Sequence, residues 1–364
     1  MSQHGFDVVA VSSGGALLKG VAEAEGVRIV AIEMTRTISP FIDMKSLIAF
    51  YKLCRSEKPV IVHSHSPKAG IVAMLGATLA GVPIRLHTVA GLPLMESKGV
   101  KRILLNFVER LTYRCATKVY PNSFGLSDFI IRNDFTRMNK LKVLGNGSSN
   151  GVDTTFFDPS HFSPDEIVFY RKSLGITRSD FVFIYVGRLV GDKGINELID
   201  AFSLLMKRVE EHQQVKLLLV GSLEPDLDPV KAETLKIIEE NGSVLSLGFK
   251  EDVRPYFAIS DCLVFPSYRE GFPNVVMQAG AMGIPSIVTD INGCNEIIRE
   301  GKNGVIIPAK DVNALLLAMT KMYFDREFYR KLQIKSRSVI CDDYEQTVIW
   351  QILLEEYRAL LKEK

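Results

Sequence analysis

Short apolar runs that favour β-strands alternate with helical stretches along most of this 364-residue chain. The alternation occurs in two series, one in each half of the chain. Strands separated by helices in this way pair in parallel and need helices on both faces of the sheet. The pattern therefore predicts an α/β protein with two doubly wound, Rossmann-like domains.

The positions of the predicted elements follow from the runs themselves. Strands of the first series are expected at 7–11, 27–32, 60–64, 84–89 and 118–123, with helices near 15–24, 43–57, 68–80, 99–116 and 124–133. Strands of the second series are expected at 181–187, 215–221, 243–248, 262–267, 285–290 and 304–309. The remainder, about 311–362, has the pattern of helices.

A Gly, Ser and Asn-rich segment at 145–153 is the best candidate for a linker between the two series. We therefore expect a first domain at 1–150, a second at 151–345, and a helix at 346–364 that crosses back to the first. A doubly wound domain usually opens with a strand, a glycine turn and a helix. This sequence opens as a last helical turn, a cap at Gly5 and then a strand, so we expect the first strand and helix to be missing.

Composition and charge exclude several classes of protein. No apolar run approaches the roughly 18–20 residues needed to span a bilayer, and no secretory signal is visible. The five cysteines are scattered and form no CxxC pair, which suggests reduced thiols in a cytoplasm. Residues 1–150 carry 19 Lys and Arg against 10 Asp and Glu, a net +9. Such a half suits anionic lipid or a phosphate-bearing substrate, whereas no nucleic-acid-binding motif is present.

The stretch YREGFPNVVMQA at 268–279 follows a predicted strand and opens a predicted helix. Pro273 suits the first helical turn, where its missing N–H has no cost. The amides of Gly271, Phe272 and Asn274 are then expected to point out of the helix N-terminus, as at an anion-binding site. Glu270 needs a partner of its own there. The alternative is a helix cap without a ligand.

The stretch FVFIYVGRLVGDKGINELIDAF at 181–202 places two cations and several glycines between a strand and a helix. Arg188 and Lys193 in such a turn suit an anionic ligand. The turn matches neither a P-loop nor a GxGxxG fingerprint. A solvated turn is the alternative.

Together these motifs resemble the donor domain of family-four retaining glycosyltransferases. The resemblance implies the GT-B fold, in which two Rossmann-like domains face each other across a cleft. The resemblance is carried by GR and KG at 187–194, EGFP at 270–273, ING and NE at 291–296, and NGV at 303–305. The segment NGVD at 150–153, with Phe156, resembles the interdomain element of that family. HSPKAG at 65–70 and HTVAGLPLMESKG at 87–99 resemble bacterial capsule and glycan-assembly members.

The resemblance implies a nucleotide-sugar donor held by the second domain. Arg188 and Lys193 are expected to bind its diphosphate, and Glu270 to hold the donor sugar during catalysis. Other donor-binding residues are expected at Gly187, Phe249, Gly271, Phe272, Pro273, Asn274 and Gln278. His65, Lys68 and His87 are expected at the acceptor site of the first domain. Members need no metal, and we expect neither a metal nor a cofactor; the DLD at 226–228 is interpreted as a turn.

Two residues depart from the family pattern. The family signature consists of two glutamates separated by seven residues. In this chain the first is Glu270, but the second position is Gln278, which predicts weaker affinity for the donor. Ala90-Gly91 stands where many relatives have His-Gly, so that histidine has no counterpart. A lone histidine at a strand end, such as His65 or His87, is also compatible with a purely structural role.

Residues 98–118, KGVKRILLNFVERLTYRCATK, predict a basic amphipathic helix. Such a helix can lie in an anionic membrane interface, or can pack its apolar face on the sheet with its charges in water. We expect a cytoplasmic enzyme, peripheral on the inner face of the plasma membrane. Its function would be transfer of a sugar, from a UDP-sugar, to a lipid-carrier-linked saccharide in surface polysaccharide biosynthesis. A nucleotide-sugar epimerase and a nucleotide-sugar-binding scaffold subunit are the alternatives.

Overall fold

The computed structural model describes residues 1–35, 39–92, 94, 97–209, 214–226 and 228–363. The chain divides into two compact units. Unit 1 comprises residues 1–149 and 351–364, and unit 2 comprises residues 150–350. Part of the HTVAGLPLMESKG motif (93, 95 and 96) and the middle residue of DLD (227) lie outside the described residues.

Unit 1 contains the predicted first series of strands and helices. Its strands are β1 (Val9–Ser12), β2 (Arg28–Ala31), β3 (Ile61–Ser64), β4 (Ile84–Val89) and β5 (Lys118–Pro121). Its helices are α1 (Ala16–Glu25), α2 (Pro40–Glu57), α3 (Pro67–Leu79), α4 (Gly99–Cys115) and α5 (Phe124–Arg132). All ten elements are where the sequence predicts them, with ends that differ by a few residues.

The strands of unit 1 are all parallel but form two separate sheets. β1 pairs with β2, and β4 pairs with both β3 and β5. Among the described residues no ladder joins β1 to β3. Before β1, residues Ser2–His4 form a 3₁₀ turn that Gly5 closes with a left-handed φ of 85°. The predicted helical end, glycine cap and strand at the start of the sequence are therefore confirmed.

Unit 2 contains the second series. Its strands are β6 (Phe181–Val186), β7 (Val215–Val220), β8 (Val244–Gly248), β9 (Cys262–Phe265), β10 (Ser286–Thr289) and β11 (Gly304–Ile307). Its helices are α6 (Pro164–Ser173), α7 (Ile195–Met206), α8 (Ala232–Glu240), α9 (Arg254–Ala258), α10 (Asn274–Ala281), α11 (Cys294–Ile297), α12 (Val312–Phe324) and α13 (Arg326–Tyr344). The last helix, α14 (Gln346–Lys362), begins in unit 2 and ends in unit 1.

The six strands of unit 2 form one parallel sheet in the order β11-β10-β9-β6-β7-β8. Counted from β6, this is the 3-2-1-4-5-6 order of a doubly wound domain. β6 lies in the middle, and its first five residues are at most 1% exposed, which explains why its sequence is apolar without alternation. The strand order reverses between β6 and β9. Sheets of this kind bind ligands at that switch point, outside the carboxyl ends of the strands.

Candidate active site in unit 2

Two loops leave the sheet at the switch point of unit 2. The β6 loop comprises residues 187–194, and the β9 loop comprises residues 266–273. Lys193 Nζ in the first loop lies 2.5 Å from Glu270 Oε1 in the second. These side chains are only 14% and 18% exposed. Two residues singled out from separate stretches of sequence therefore form one ion pair at the place where the fold binds ligands.

Gly194 allows the two loops to approach this closely. Its φ of 73° is left-handed, and it ends a 3₁₀ turn and begins α7. A Cβ placed on Gly194 would lie 2.2 Å from the carbonyl oxygen of Pro266 in the β9 loop. No ordinary side chain fits at that distance, so this contact requires glycine.

We therefore expect Gly194→Ala to destabilise unit 2 by about 2 kcal/mol or more, because it combines backbone strain with overpacking. For a domain of this size, that lowers the melting midpoint by roughly 4–8 °C. The matched control is Gly242→Ala, where no atom lies within 4 Å of the new methyl group. Equal melting points for the two variants, measured by circular dichroism, would show that the close approach is not needed.

Glu270 has a second partner besides Lys193. The hydroxyl of Ser267, which is fully buried, lies 3.1 Å from the same oxygen, Oε1. Ser267 is held in turn by Thr289 at the end of β10, whose hydroxyl donates to the Ser267 carbonyl oxygen. Burial raises the pKa of the neighbouring Cys294 thiol, and the charge of Glu270 adds to this. Lys193 and Ser267 thus hold the carboxylate directly, and Thr289 holds Ser267 in place.

Asn292 fixes the backbone that follows Glu270. Its side-chain amide donates to the carbonyl oxygens of Glu270 (3.3 Å) and Gly271 (2.9 Å). In a trans peptide the N–H points away from the C=O. The N–H groups of Gly271 and Phe272 are therefore directed away from Asn292. This is the orientation that an anion-binding loop at a helix N-terminus requires.

The helix that follows, α10, begins one residue later than the sequence suggests. Pro273 is the residue before the helix, with an extended ψ of 111°, so the prediction that it lies in the first turn is wrong by one position. Its preceding neighbour Phe272 is buried against the ring of Tyr344. Asn274, the first helical residue, is exposed, and Gln278 is half-buried in the second turn.

Arg188 lies near the start of the β6 loop and is exposed to solvent. Its guanidinium pairs with Glu224 at 3.3 Å, and the two side chains are 43% and 40% exposed. The buried Tyr185 hydroxyl donates to the Arg188 carbonyl oxygen and so fixes its backbone. Burial raises the pKa of Tyr185, with a smaller effect from the charge of Glu270. An exposed pair of this kind is weak, so a diphosphate can compete for the guanidinium.

Further contacts connect the two loops. Arg269 of the β9 loop pairs with Asp192 at 2.9 Å, and the Tyr268 N–H donates to the Asp192 carbonyl oxygen at the same distance. Asp228 accepts the Asp192 N–H with its carboxylate at 2.6 Å. The second acid of DLD therefore supports the β6 loop. The described residues contain no group of three His, Cys, Asp or Glu arranged to hold a metal ion.

The carboxyl ends of β6, β7 and β8 continue the same edge of the sheet. The Gly187 N–H donates to Val220, and the Gly221 N–H donates to Gly248, both at 2.9 Å. Phe249 follows directly and is 74% exposed. Gly187 and Phe249, both predicted to bind the donor, thus lie on the same edge as the Lys193–Glu270 pair.

The predicted acceptor residues lie in unit 1, and two of them line a cavity of about 530 Å³. His65 and Lys68 are on its wall, and the Lys68 ammonium pairs with Asp43 at 2.6 Å. Burial lowers the pKa of His65, whose ring lies 4.2 Å from that of His63. Their role towards an acceptor stays a prediction.

His87, the third predicted acceptor residue, is buried inside unit 1. It is 2% exposed, and its Nδ1 lies 2.8 Å from the hydroxyl of Ser64. A Cβ on Gly70 would lie 2.5 Å from the His87 ring, so α3 covers the imidazole closely. Burial, with a smaller effect from His65, lowers its pKa to about 4. This packing favours the structural interpretation of the histidine, and a role of His87 towards an acceptor stays a prediction.

Sequence reasoning missed Ser267, Asn292 and Asp228 as parts of the site. Asn292 belongs to the ING motif, which carried the resemblance without a role for this residue. Ser267 ends the predicted strand 262–267 and is indistinguishable from any small buried residue. Only the strand order brings these side chains together.

Comparisons with known proteins identify the family and agree with the fold. Residues 167–339 match the family model "Glycosyl transferases group 1", and residues 1–147 match "Glycosyl transferase 4-like domain". The chain is 34% identical over its full length to the capsular polysaccharide biosynthesis glycosyltransferase CapM of Staphylococcus aureus, covering 92% of that protein. It is 31% identical, over 80% of this chain and 74% of the relative, to the Escherichia coli UDP-Gal:alpha-D-GlcNAc-diphosphoundecaprenol alpha-1,3-galactosyltransferase.

Solved structures share the fold. HepE of Anabaena, in complex with UDP, has a TM-score of 0.80 at 20% identity, with 96% of this chain and 92% of that chain covered. A glycosyltransferase from Rickettsia africae has a TM-score of 0.81 at 19% identity, with coverage of 100% and 92%. The chain belongs to the glycosyltransferase family defined by these two domain models and has the GT-B fold class. The family resemblance and the fold class predicted from the sequence are confirmed.

Proposed function

We propose that this protein is a retaining glycosyltransferase that acts in bacterial capsule or surface polysaccharide biosynthesis. It would move a sugar from a UDP-sugar to a saccharide carried on a lipid diphosphate. The observation that carries the proposal is the contact of Lys193 with Glu270 at the switch point. A cation suits a diphosphate and a carboxylate suits sugar hydroxyls, so one site has groups for both parts of a nucleotide sugar.

The charges of the site suggest how the donor reacts. Lys193 and Arg188 would bind the diphosphate and stabilise the negative charge that grows on it as the glycosidic bond breaks. The N–H groups of Gly271 and Phe272 would add to this from the helix N-terminus. These groups supply the neutralisation for which other enzymes use a divalent metal, which supports metal-independent transfer.

Glu270 would hold hydroxyls of the donor sugar and orient its ring. Departure of the diphosphate and attack of the acceptor hydroxyl on the same face would retain the anomeric configuration. Gln278, in the second turn of α10, would bind the ribose. Support for UDP comes from relatives, since HepE was solved with UDP and the E. coli relative is named for UDP-Gal.

The acceptor class is supported by the names of two relatives. The E. coli relative acts on a diphosphoundecaprenol-linked saccharide, and so does a 24% identical Campylobacter jejuni N-acetylgalactosaminyltransferase. A panel of radiolabelled UDP-sugars incubated with undecaprenyl-diphosphate-linked saccharides tests the proposal. We expect radiolabelled lipid-linked product in the butanol phase, in an amount that EDTA does not change. NMR of the product should show the same anomeric configuration as in the donor.

The same assay separates the alternatives. Conversion of the nucleotide sugar without any acceptor would identify an epimerase. Binding of UDP, seen as a rise in melting temperature, with neither transfer nor conversion, would identify a binding subunit. An inverted product would contradict the retaining mechanism.

Gln278→Glu is expected to strengthen donor binding. A neutral hydrogen bond contributes about 0.5–1.5 kcal/mol and a charged one about 1.5–3, a difference of about 1 kcal/mol. The dissociation constant for UDP, measured by calorimetry, should therefore fall roughly fivefold. Gln278→Ala should raise it by a similar factor. If neither change alters the affinity, Gln278 does not contact the nucleotide.

We also propose that unit 1 binds the anionic inner surface of the plasma membrane, where a lipid-linked acceptor lies. α4 has one apolar side on the core, with Leu105 and Leu111, and a second apolar side in solvent. The second side consists of Val100, Ile103, Leu104 and Phe107, which are 42–82% exposed. α2 also exposes Phe41, Met44, Ile48 and Tyr51, and α3 packs against both helices.

Exposed basic residues border this apolar surface, which suits anionic lipid. Lys98, Lys101 and Arg114 are exposed, whereas Arg102 and Arg110 bind backbone carbonyl oxygens within unit 1. None of the helices in the described part of the chain combines the length and apolarity needed to cross a bilayer.

Flotation with liposomes tests this surface. We expect the wild-type protein to float with phosphatidylglycerol vesicles at low salt. The double variant Ile103→Glu with Phe107→Glu should bind these vesicles at least tenfold more weakly. Phe169→Glu, at a 68% exposed position in unit 2, is the matched control. If the wild type, the double variant and Phe169→Glu float equally, the apolar side of α4 is not the membrane-binding surface.

A further inference from the structure

The chain passes between the two units twice, and the two passes lie side by side within unit 2. Residues 150–154 begin unit 2, and residues 344–346 lead into α14, which ends in unit 1. The Val152 N–H donates to the Tyr344 carbonyl oxygen at 2.9 Å, and the Gln346 N–H donates to the Val152 carbonyl oxygen at 3.0 Å. These two segments, paired in parallel, are called the crossing bridge.

The side chain of Tyr344 joins the crossing bridge to the candidate active site. Tyr344 is 2% exposed, and its ring lies 5.5 Å from the ring of Phe272 in the β9 loop. Its hydroxyl donates at 2.9 Å to the carbonyl oxygen of Glu296 in α11. α11 follows Asn292, whose side-chain amide holds the backbone of the β9 loop. One buried side chain therefore contacts both segments that shape this loop.

Phe272 is the residue through which a ligand would act on Tyr344. Its ring is buried against Tyr344, and its N–H is one of the two amides that would donate to the donor diphosphate. A diphosphate that accepts from this N–H would restrict the Phe272 backbone and, with it, the ring. Because buried side chains are close-packed, a restricted Phe272 ring also restricts the ring of Tyr344.

α13 keeps Tyr344 at a fixed distance from α10, the helix that follows the β9 loop. A Cβ on Gly280 of α10 would lie 2.5 Å from a side-chain carbon of α13, so the two helices are in close contact. The Arg337 guanidinium of α13 donates to the carbonyl oxygens of Ala281, at the end of α10, and of Thr154. Tyr344, the last residue of α13, is therefore a rigid connection between the β9 loop and the crossing bridge.

We propose that Tyr344 is a positioning residue that couples the donor site to the crossing bridge, so that a nucleoside diphosphate bound at the β9 loop stabilises the bridge. The inference rests on the proposed function for its ligand, and it adds a residue that acts through Phe272 and not on the ligand itself. Coupling between two sites is reciprocal, so a weaker bridge must weaken ligand binding by the same factor. A merely structural tyrosine would stabilise both regions without linking them.

Amide hydrogen exchange, measured by mass spectrometry with and without saturating UDP, tests the effect of the ligand on the bridge. We expect UDP to slow exchange at 150–155 and 344–348 by about fivefold or more, the lower end of typical couplings, and to change α8 by less than about twofold. Tyr344→Leu should abolish the slowing at the crossing bridge. Tyr329→Leu is the matched control and should keep it, because Tyr329 is a buried tyrosine of the same helix that packs on Phe181 of β6.

Calorimetry with UDP tests the reciprocal effect of the bridge on the ligand. Glu345→Ala weakens the crossing bridge, because the Glu345 carboxylate accepts from the backbone N–H and the hydroxyl of Thr154. This variant should raise the dissociation constant for UDP about fivefold. In a Tyr344→Leu background the same substitution should leave the constant unchanged, because the connection is already lost. Equal effects of Glu345→Ala in both backgrounds would make Tyr344 a structural residue and overturn the proposal.

Phe272→Leu repeats the test from the other side of the contact, in case Tyr344→Leu does not fold. Leucine keeps an apolar side chain at this position but removes the ring that faces Tyr344. Without UDP, this variant should exchange faster than the wild type at the crossing bridge, with α8 as the reference. Addition of UDP should no longer slow exchange at the bridge. Wild-type exchange rates in Phe272→Leu, with and without UDP, would overturn the proposal.

The outcomes also separate this inference from the proposed function. If UDP binds the wild type without slowing exchange at the crossing bridge, the coupling is overturned and the donor site stands. If UDP does not bind the wild type, the proposed donor fails. The exchange of Phe272→Leu without ligand then decides whether Tyr344 connects the β9 loop to the bridge.

Discussion

Glu270→Gln is expected to lower kcat for sugar transfer by at least about 100-fold, the typical effect of losing one preorganised group at a reacting centre. The amide keeps the shape of the side chain and can still accept from Ser267, so the loop should stay folded. It loses the charge that would hold donor hydroxyls. Lys193 loses its partner and becomes available to the diphosphate, so the affinity for UDP should be unchanged or higher.

Transfer rates and UDP calorimetry on the same protein check this expectation. Glu224→Gln is the matched control, because Glu224 is an exposed carboxylate that pairs with the other cation, Arg188. The control should change kcat less than threefold. A parallel loss of UDP affinity and transfer in Glu270→Gln would mean that the carboxylate only supports the loop and does not act on the sugar.

The strands and the two main site residues could be predicted because their signals are local. An unbroken apolar run such as residues 181–186 predicts a central strand, and a glycine-rich turn after it predicts the carboxyl edge of the sheet. Parallel strands place all their carboxyl ends at one edge. Glu270 and Lys193 could therefore be assigned to one site although 77 residues separate them.

The contacts within the site could not be predicted, because they depend on strand order. β6 and β9 are neighbours although β7 and β8 lie between them in sequence. That order pairs Lys193 with Glu270 and places Asn292 behind the Glu270 backbone. Sequence reasoning assigned sugar hydroxyls to Glu270 and overlooked its protein partners.

Burial was the other quantity that the sequence left undetermined. His87 was assigned to an acceptor site, yet the close approach of α3 at Gly70 buries its ring. In α4 the sequence shows apolar residues on much of the helix, and only the packing of α3 decides which side is covered. Val100 and Ile103 stay 82% and 69% exposed as a result.

Lys193→Met should lower the affinity for UDP by roughly 10–100-fold, since a charge-assisted hydrogen bond contributes about 1.5–3 kcal/mol. The substitution should also lower the melting temperature of the protein measured without UDP, because the mostly buried Glu270 carboxylate loses its cationic partner. Lys236→Met, at an exposed lysine of α8, is the control and should change neither quantity.

The double variant Lys193→Met with Glu270→Gln separates the two effects. Removing the unpaired carboxylate should restore most of the melting temperature lost in Lys193→Met, since residues in direct contact couple in stability. The affinity for UDP should stay low, because nothing replaces the ammonium at the diphosphate. If the double variant recovered UDP affinity together with stability, Lys193 would be a structural partner of Glu270 and not a ligand of the donor.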